Sequence, residues 1–354
     1  MEDDLFADAA RQLLQGECTP ARVRAIEAGG SPRALWQSLE QAGFADALVP
    51  EHAGGAGLAL SQLFDVWSLA GAHALPVPLG ETMLARALLA GAGAERPPGA
   101  IALAQGLLQP DGSLHCAPVR LGAVADSVLV QHAQGWSLLP VAQAQSEPAA
   151  FCLDVNLRWS ADQVCAAPAP DIALPGGLDL RTLQAGLVAA QLAGALMEVF
   201  QRTLQYANDR QQFGRPIGKF QAIQHQLAVM SEHVFAARMA ARLGCAGQGI
   251  FPERLRVAVA KARCSQAALA VAEAAHAIHG AMGFTEEYDL QLLTRRLHAW
   301  RQTAGSESYW HGVAGAALVH GHAGSTLDLI RSTTDITTDI TTDITTDITA
   351  DITA

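Results

Sequence analysis

Charged residues are scarce in this sequence of 354 residues: they make up 16% of it, whereas hydrophobic residues make up 50%. Basic residues are in the larger deficit, because 23 Lys and Arg stand against 34 Asp and Glu and give a formal net charge of −11. This balance argues against nucleic acid or an anionic membrane as the main partner. The excess of Ala and Leu favours buried helices instead.

Three further features are missing. The six cysteines contain no C-x-x-C pair, so they predict reduced thiols rather than a disulfide framework. No uncharged apolar run reaches the length of a membrane span. The first residues, MEDDLFADAA, lack the basic and apolar regions of a signal peptide. We therefore expect a cytoplasmic protein without a membrane span.

The pattern of hydrophobic residues predicts a mainly α fold with a small β-domain. In residues 1–96 apolar side chains recur at helical spacing, as in Leu60, Leu63 and Trp67, which predicts an N-terminal helical domain. In residues 97–177 Pro and Gly interrupt short β-prone stretches, which predicts a reduced β middle domain. The predicted strands are Ala100–Ala104, Ser127–Gln131, Trp136–Val141 and Phe151–Val155.

The third region, residues 178–331, returns to helical periodicity over much longer segments. Long helices with short connections are typical of an antiparallel bundle, so we predict a C-terminal four-helix bundle. The predicted helices lie near 180–209, 219–247, 253–281 and 286–318.

The C-terminal residues, 332–354, form a TTDI repeat. A period of four matches neither a helix stripe nor a strand face, so it cannot bury an apolar surface of its own. The composition favours a disordered tail, and a partner-binding strand is the alternative.

The stretch that contains the most chemical information is Tyr206–Leu227, YANDRQQFGRPIGKFQAIQHQL. Gly214 and Pro216 predict a turn between two helices. Arg210 would present a planar donor fork to a phosphate, Phe213 a flat apolar surface and Gln221 an amide. The same residues also suit a well-capped αα-hairpin without a ligand. The residues alone leave both interpretations open.

Two other motifs favour structural roles. The glycines of Gly54-Gly55-Ala56-Gly57 lack a βαβ context for phosphate binding, so they predict a turn before a helix near Ser61. Glu273-x-x-His276 has the spacing of a di-iron helix, but the sequence offers no second copy. We expect no metal site, and we expect His276 and His279 to be packing or hydrogen-bonding residues.

Three blocks together resemble the acyl-CoA dehydrogenase family of FAD flavoproteins. The Arg-x-x-Phe-Gly of Arg210–Gly214, followed by Phe220-Gln221, is similar to the hairpin motif of that family. HAIHGAMGFTEEYDL, residues 276–290, resembles its glycine loop, and Val49-Pro50-Glu51 through Gly57 resembles its N-terminal Val-Pro-Glu block. The resemblance covers roughly residues 1 to 320, and the predicted order of domains is also that of the family.

The resemblance implies α,β-desaturation of an acyl-CoA thioester with FAD as cofactor. A carboxylate would abstract the α-proton while a hydride passes from Cβ to the flavin. Arg210, Phe213 and Gln221 would contact the FAD of a neighbouring subunit, at its pyrophosphate and adenosine end. Gly280 and Gly283 would approach the same cofactor through a bare backbone. An electron-transfer flavoprotein is the implied kind of electron acceptor.

The sequence departs from the family where the catalytic base is expected. Thr303 stands at one expected position and Gln184 at the other, and neither is an acid. Glu307, four residues after Thr303, is the weak candidate for a substitute. Ala277 and Ala281 replace a glutamine and a glycine of the glycine loop, and no flavin-binding Thr-Glu-Pro segment is recognisable in the β-domain.

We therefore expect an acyl-CoA dehydrogenase subunit whose homologous partner chain supplies the catalytic glutamate. By resemblance, two-chain members of the family are associated with bulky substrates such as steroid thioesters. Two alternatives stay open from the sequence. One is a self-sufficient homo-oligomeric dehydrogenase with an unrecognised base, and the other is a flavin-free structural or binding descendant of the fold.

Overall fold

The computed structural model describes residues 2–247, 249–320 and 325–335, with side chains from residue 5 onward. The fold is helical at both ends, with strands in the middle, as predicted. Its N-terminal helices bury an apolar core that includes Leu63, Phe64 and Trp67. These helices are α1 Glu2–Glu17, α2 Pro20–Glu27, α3 Arg33–Gln41, α4 Leu60–Ala72 and α5 Leu79–Gly91.

Two small sheets follow and pack on each other through a shared apolar core that contains Val128, Leu157 and Trp159. One sheet has the order β1-β4-β5, with β1 parallel to β4, and the other has the antiparallel order β2-β3-β7-β6. The strands are β1 Ile101–Gln105, β2 Leu107–Leu108, β3 Leu114–Val119, β4 Ser127–His132, β5 Gly135–Pro140, β6 Gln145–Pro148 and β7 Val155–Trp159, before the short helix α6 Ala161–Ala166.

One predicted strand is wrong. Phe151–Asp154 forms a turn in which the Asp154 backbone N–H donates to the Phe151 carbonyl at 3.1 Å, and the strand β7 begins only at Val155. The local sequence is apolar enough for a strand, but the turn is stabilised by its own hydrogen bonds and by contacts to the segment after β3.

The C-terminal bundle is built around α7 Leu180–Asp209, whose central residues are buried on nearly every side. Helices that are apolar all round lie in the core of a fold. By length and composition α7 is apolar enough to cross a membrane, but 83% of its apolar window is buried inside the protein, as in a core helix. The remaining elements are β8 Gln211–Gln212, β9 Arg215–Pro216, α8 Gln221–Gly244, α9 Arg254–His279, α10 Leu290–Trp300, α11 Glu307–His320 and α12 Thr326–Thr334.

The fourth predicted helix of the bundle, 286–318, is two helices, α10 and α11. Between them the backbone leaves helical geometry, with positive φ at Ala304 and Gly305. The buried Lys261 of α9 donates to the carbonyls of Arg301 and Gly305 at 2.9 and 2.8 Å. These carbonyls have a side-chain partner at the break, so the helix can end without leaving them unsatisfied.

The start of the tail also differs from the prediction. Residues 332–334 belong to α12, and Arg256 of α9 donates from Nε to the Thr333 carbonyl at 3.1 Å. Residues 336–354, which hold most of the TTDI repeat, lie outside the described residues.

Helices α4 and α7 cross with their backbones in contact. A Cβ added at Gly194 would lie 1.7 Å from the Ser68 carbonyl oxygen, and one at Gly71 would lie 1.9 Å from that of Gln191. Both glycines are buried in the core of the fold. The crossing therefore requires glycine on both helices, and it sets how closely the N-terminal helices approach the bundle.

A buried ionic network joins all three parts of the fold. Arg120, in the segment after β3, pairs with Glu81 of α5 and donates to Gln191 of α7 at 2.7 Å. Its guanidinium also lies over the Trp300 ring of α10, at 4.8 Å from the centroid. Arg120 and Glu81 are only 7% and 2% exposed. Because removal of one partner would leave a buried charge unpaired, this network fixes the relative positions of the helical, β and bundle regions.

Candidate functional site

The hairpin between α7 and α8 presents the three residues predicted to bind a cofactor. Helix α7 ends at Asp209, and the Ile217 backbone N–H returns to the Arg210 carbonyl at 2.8 Å. Phe213 and Gly214 form the tip with φ of 52° and 77°. Ile217 is buried and anchors the turn on the bundle. The hairpin is thus a fixed projection from the end of a core helix.

The three predicted cofactor-binding side chains of this hairpin are exposed to solvent. Phe213 is 91% exposed, and Arg210 and Gln221 are also exposed. Within the part of the chain that the structure describes, no side-chain hydrogen bond or ion pair is recorded for either of these two polar residues. An exposed guanidinium and an exposed flat ring on one short hairpin suit a phosphate next to an aromatic group.

The second predicted block, the glycine turn after α9, adopts a conformation that requires glycine. Gly280 has φ 59° and ψ −141°, a region that side chains exclude. Gly283 is buried, and a Cβ there would lie 3.0 Å from His279 Cβ and 3.1 Å from His276 Nδ1. Glycine is therefore required for different reasons at the two positions: backbone conformation requires it at Gly280, and close packing requires it at Gly283.

Tyr206 brings the hairpin and the glycine turn together. Its ring stacks on His279 with centroids 4.3 Å apart, and its hydroxyl donates to the His279 carbonyl at 3.4 Å. Tyr206 lies in the last turn of α7, one turn before Arg210. The structure therefore places the two segments of the predicted cofactor site beside each other, through a contact that the sequence did not reveal.

The histidines below the glycine turn have structural partners. His279 Nδ1 lies 2.8 Å from the Ala275 carbonyl, and His276 Nε2 lies 3.0 Å from Thr294 Oγ1. Burial lowers the pKa of both side chains below the usual value of histidine. These contacts agree with the expected packing and hydrogen-bonding roles. In the described residues no group of three or more His, Cys, Asp or Glu is arranged to hold a metal ion.

A cleft of about 1020 Å³ opens between the β-region and the bundle, and both expected base positions line it. Gln184 donates from Nε2 to the Leu103 carbonyl at 3.0 Å, and Thr303 donates from Oγ1 to the Ala299 carbonyl at 3.2 Å. Neither side chain can accept a proton from carbon near neutral pH, because an amide and an alcohol are very weak bases. The cleft exists, but its two expected base positions are chemically inert.

The weak candidate Glu307 does not fill this gap. Its carboxylate forms an ion pair with Arg301 at the break between α10 and α11. Glu307 is also not one of the described residues that line the cleft. The ion pair with Arg301 and the position outside the cleft lining favour a structural role for Glu307.

Asp154 is a cleft residue that sequence reasoning missed. It is the one carboxylate among the described residues that line the cleft. Burial raises its pKa to about 6, against the opposing effects of a hydrogen bond from the Leu121 backbone and of the positive charge of Arg120. A short apolar stretch followed by a single Asp carries no sequence signal for such a site, because the cleft is formed by segments distant in sequence.

Lys261 holds the cleft wall on which Thr303 lies. Its ammonium group is fully buried and donates to Ser265 Oγ at 2.8 Å as well as to the two carbonyls at the helix break. Burial lowers its pKa to about 7, the nearby charge of Glu307 opposing this shift. Position 303 thus depends on a buried cation on a different helix.

We expect the stability of the protein to depend on pH through Lys261. The unfolded lysine titrates near pH ~10.4, so above pH ~7 the unfolded chain holds a proton that the folded chain has lost. The Lys261 contribution to the free energy of unfolding therefore rises as pH increases from about 7 to about 8.5. Urea titrations across this range should show a flatter profile in Lys261→Met. Lys219→Met, at an exposed position of the hairpin, should keep the wild-type slope, and parallel profiles for all three proteins would contradict the assignment.

Comparison with known families gives matches in both helical regions. The model of the acyl-CoA dehydrogenase N-terminal domain matches residues 1–95, and that of the C-terminal domain matches residues 182–318. Acyl-CoA dehydrogenase IpdE2 of Mycolicibacterium smegmatis is 31% identical over 308 residues, which cover 86% of this chain and 94% of that protein.

Solved structures agree over nearly the whole chain. A variant of the Tcur3481-Tcur3483 steroid ACAD superposes with a TM-score of 0.78 and 26% identity, over 91% of this chain and 99% of that chain. The ChsE4-ChsE5 complex from Mycobacterium tuberculosis has a TM-score of 0.72 at 21% identity, over 91% of this chain and 98% of that chain, and this likeness concerns the fold.

Proposed function

The chain belongs to the acyl-CoA dehydrogenase family, oxidoreductases that act on CH–CH donors, and from this premise we propose that it is one subunit of a two-chain, FAD-dependent acyl-CoA dehydrogenase. The enzyme desaturates an acyl-CoA thioester between Cα and Cβ. One observation carries the two-chain assignment: the cleft is present, but Thr303 and Gln184 occupy both expected base positions. A homologous companion chain supplies the catalytic glutamate.

The surface of the bundle supports a partner chain. Val229, Phe235 and Met239 on α8 are each more than half exposed. Large apolar side chains exposed along one helix are typical of a protein–protein interface. Two of the similar solved structures bear the names of two-chain assemblies, the Tcur3481-Tcur3483 enzyme and the ChsE4-ChsE5 complex. The first of these names, which is that of a steroid ACAD, also supports a bulky, steroid-type acyl group as the substrate.

The hairpin residues fit FAD bound largely by the companion chain. Arg210 binds the pyrophosphate, Phe213 covers the adenosine end and Gln221 offers its amide, while Gly280 and Gly283 allow close backbone approach. The fit rests on exposure, because a ring that is 91% exposed has little contact within its own chain. When bound, FAD supplies the hydride acceptor of the reaction. Through these hairpin and glycine-turn residues the chain holds one end of the cofactor.

The proposal includes a cellular location and an electron acceptor for the enzyme. It is cytoplasmic, and it passes electrons to an acceptor such as an electron-transfer flavoprotein. The sequence feature that supports this placement is the set of six cysteines, which are all free thiols.

Co-expression tests the proposed function. The chain purified alone should be colourless and should not oxidise acyl-CoA with an artificial electron acceptor. Co-expression with a dehydrogenase-like chain that carries glutamate at the position equivalent to Thr303 should yield a yellow complex that reduces the acceptor. A chain that is yellow and active alone would refute the subunit assignment. A co-purified complex without flavin would refute the enzymatic one.

A further inference from the structure

Three arginines of the cleft donate some of their hydrogen bonds to the protein itself. Arg120 donates to Glu81 and to Gln191, and Arg295 donates to Glu27 at 2.8 Å. Arg181 donates to Gln105 Oε1 at 3.3 Å, and its guanidinium lies over the Tyr309 ring at 4.9 Å. All three arginines line the cleft, and each already has a partner on the protein for part of its donor capacity.

Two neutral polar side chains of the cleft also donate to the protein. The amide N–H of Gln184 and the hydroxyl of Thr303 both donate to backbone carbonyls, at 3.0 and 3.2 Å. Thr303 is left with the lone pairs of its hydroxyl oxygen, and Gln184 is left with its carbonyl oxygen and one amide N–H. At the two expected base positions, then, the cleft presents acceptors rather than bases.

Asp154 adds a charged acceptor to this wall. Its Oδ1 accepts the Leu121 backbone N–H at 2.9 Å, and the turn that carries it is closed by the Ala149 N–H, which donates to the Asp154 carbonyl at 3.0 Å. The side chain is only partly buried and lines the cleft, and Oδ2 is the carboxylate oxygen not engaged by Leu121. The turn therefore fixes a carboxylate at the cleft surface.

We propose that Asp154 is a specificity-determining residue, and that the cleft of this chain binds a ligand portion that carries hydrogen-bond donors, above all hydroxyl groups. This inference rests on the proposed function in one respect: it takes the cleft to be a binding site for acyl-CoA or flavin. Two sources share the required chemistry: a hydroxyl group on the acyl chain and the hydroxyl groups of a flavin ribityl chain. Hydrogen bonds to a charged acceptor are about twice as strong as neutral ones, so Asp154 contributes most of the selectivity.

Matched thioesters test the first source. The purified complex would be titrated calorimetrically with decanoyl-CoA and ω-hydroxydecanoyl-CoA, and with cyclohexanecarbonyl-CoA and its para-hydroxy counterpart. We expect at least one hydroxylated thioester to bind about 10-fold more tightly than its parent, as a hydrogen bond to a charged group allows. Asp154→Asn, which keeps an oxygen for the Leu121 N–H, should abolish the preference. Asp162→Asn removes one exposed carboxylate from the neighbouring helix α6 and should leave the preference unchanged.

The second source is tested by flavin content. If the donors belong to the ribityl chain, Asp154→Asn should lower the FAD content of the purified complex while Asp162→Asn should not. Equal affinities for all thioester pairs together with unchanged FAD content in Asp154→Asn would overturn the proposal. The titration contains no electron acceptor and does not require catalysis, so a complex that fails to oxidise acyl-CoA would refute the proposed function and still report on Asp154.

The pH dependence of ligand preference and FAD retention separates a binding role of Asp154 from a purely structural one. The pKa of Asp154 is raised to about 6 by burial, so the carboxylate is the main form at neutral pH. As pH falls through this value the group gains a proton and is no longer a charged acceptor. The preference of the wild-type complex for the hydroxylated thioester, or its FAD retention, should decline in the same range. A wild-type preference that is constant down to about pH 5 would contradict the role of the ionised carboxylate.

Discussion

Arg210→Ala is expected to lower the FAD affinity of the assembled enzyme about 10- to 100-fold. The side chain is exposed at the end of α7, on the same hairpin as the exposed ring of Phe213, and it makes no side-chain hydrogen bond or ion pair within the described residues. A charge-assisted hydrogen bond contributes about 1.5–3 kcal/mol, which corresponds to this change in affinity. The measurement is flavin fluorescence during dialysis of the complex against FAD-free buffer.

The matched control for this change is Arg11→Ala. Arg11 is an exposed arginine of α1 that pairs with Asp8, so its removal changes the net charge by the same amount away from the hairpin. This variant should keep wild-type FAD affinity, and both variants should have the thermal stability of the wild type. Identical FAD retention in Arg210→Ala and the wild type would remove Arg210 from the cofactor site.

Gly194→Ala is expected to destabilise the folded protein by about 3 kcal/mol, although it adds a single methyl group. The added Cβ would lie 1.7 Å from the Ser68 carbonyl oxygen, and that oxygen belongs to a helix backbone that cannot rotate away. Relief requires α4 and α7 to separate, and overpacking of this kind typically costs ~1–3 kcal/mol, with backbone clashes at the upper end. Urea denaturation followed by circular dichroism measures the change.

A second glycine gives the opposite expectation. Gly312 lies inside α11, where an added Cβ meets no atom within 4 Å. Gly312→Ala should therefore stabilise the protein by roughly 0.5–1 kcal/mol, because alanine loses less conformational freedom in a helix. If Gly194→Ala were as stable as Gly312→Ala, the helices would not cross at the described distance.

Sequence periodicity was enough to predict the order of the regions. Burial leaves a periodic pattern of apolar residues in the sequence. This pattern is present in the helical spacing of Leu60, Leu63 and Trp67 and in the long apolar segment of α7, so both could be predicted. The break between α10 and α11 was missed, because its cause is Lys261 on another helix. The turn at Phe151–Asp154 was missed for a similar reason, since its hydrogen bonds outweigh the β propensity of its residues.

The parts of the candidate site that are contiguous in the sequence could be predicted from it. The hairpin around Arg210 and the turn at Gly280 are both contained in short motifs with turn residues. Their juxtaposition depends on the stacking of Tyr206 on His279, which no spacing along the chain encodes. Asp154 was missed because its raised pKa and its place on the cleft exist only after three distant segments meet.

The network of Arg120 with Glu81 and Gln191 has a consequence for how ligands enter. Glu81 belongs to the N-terminal helices and Gln191 to the bundle, so rotation of the β-region away from them would separate Arg120 from a buried carboxylate and a buried amide. The closed form compensates the buried charges of Arg120 and Glu81, so the opened form is disfavoured. Ligands therefore enter a preformed cleft by rearrangement of side chains at its rim, and selection among them rests on fit to a rigid receptor.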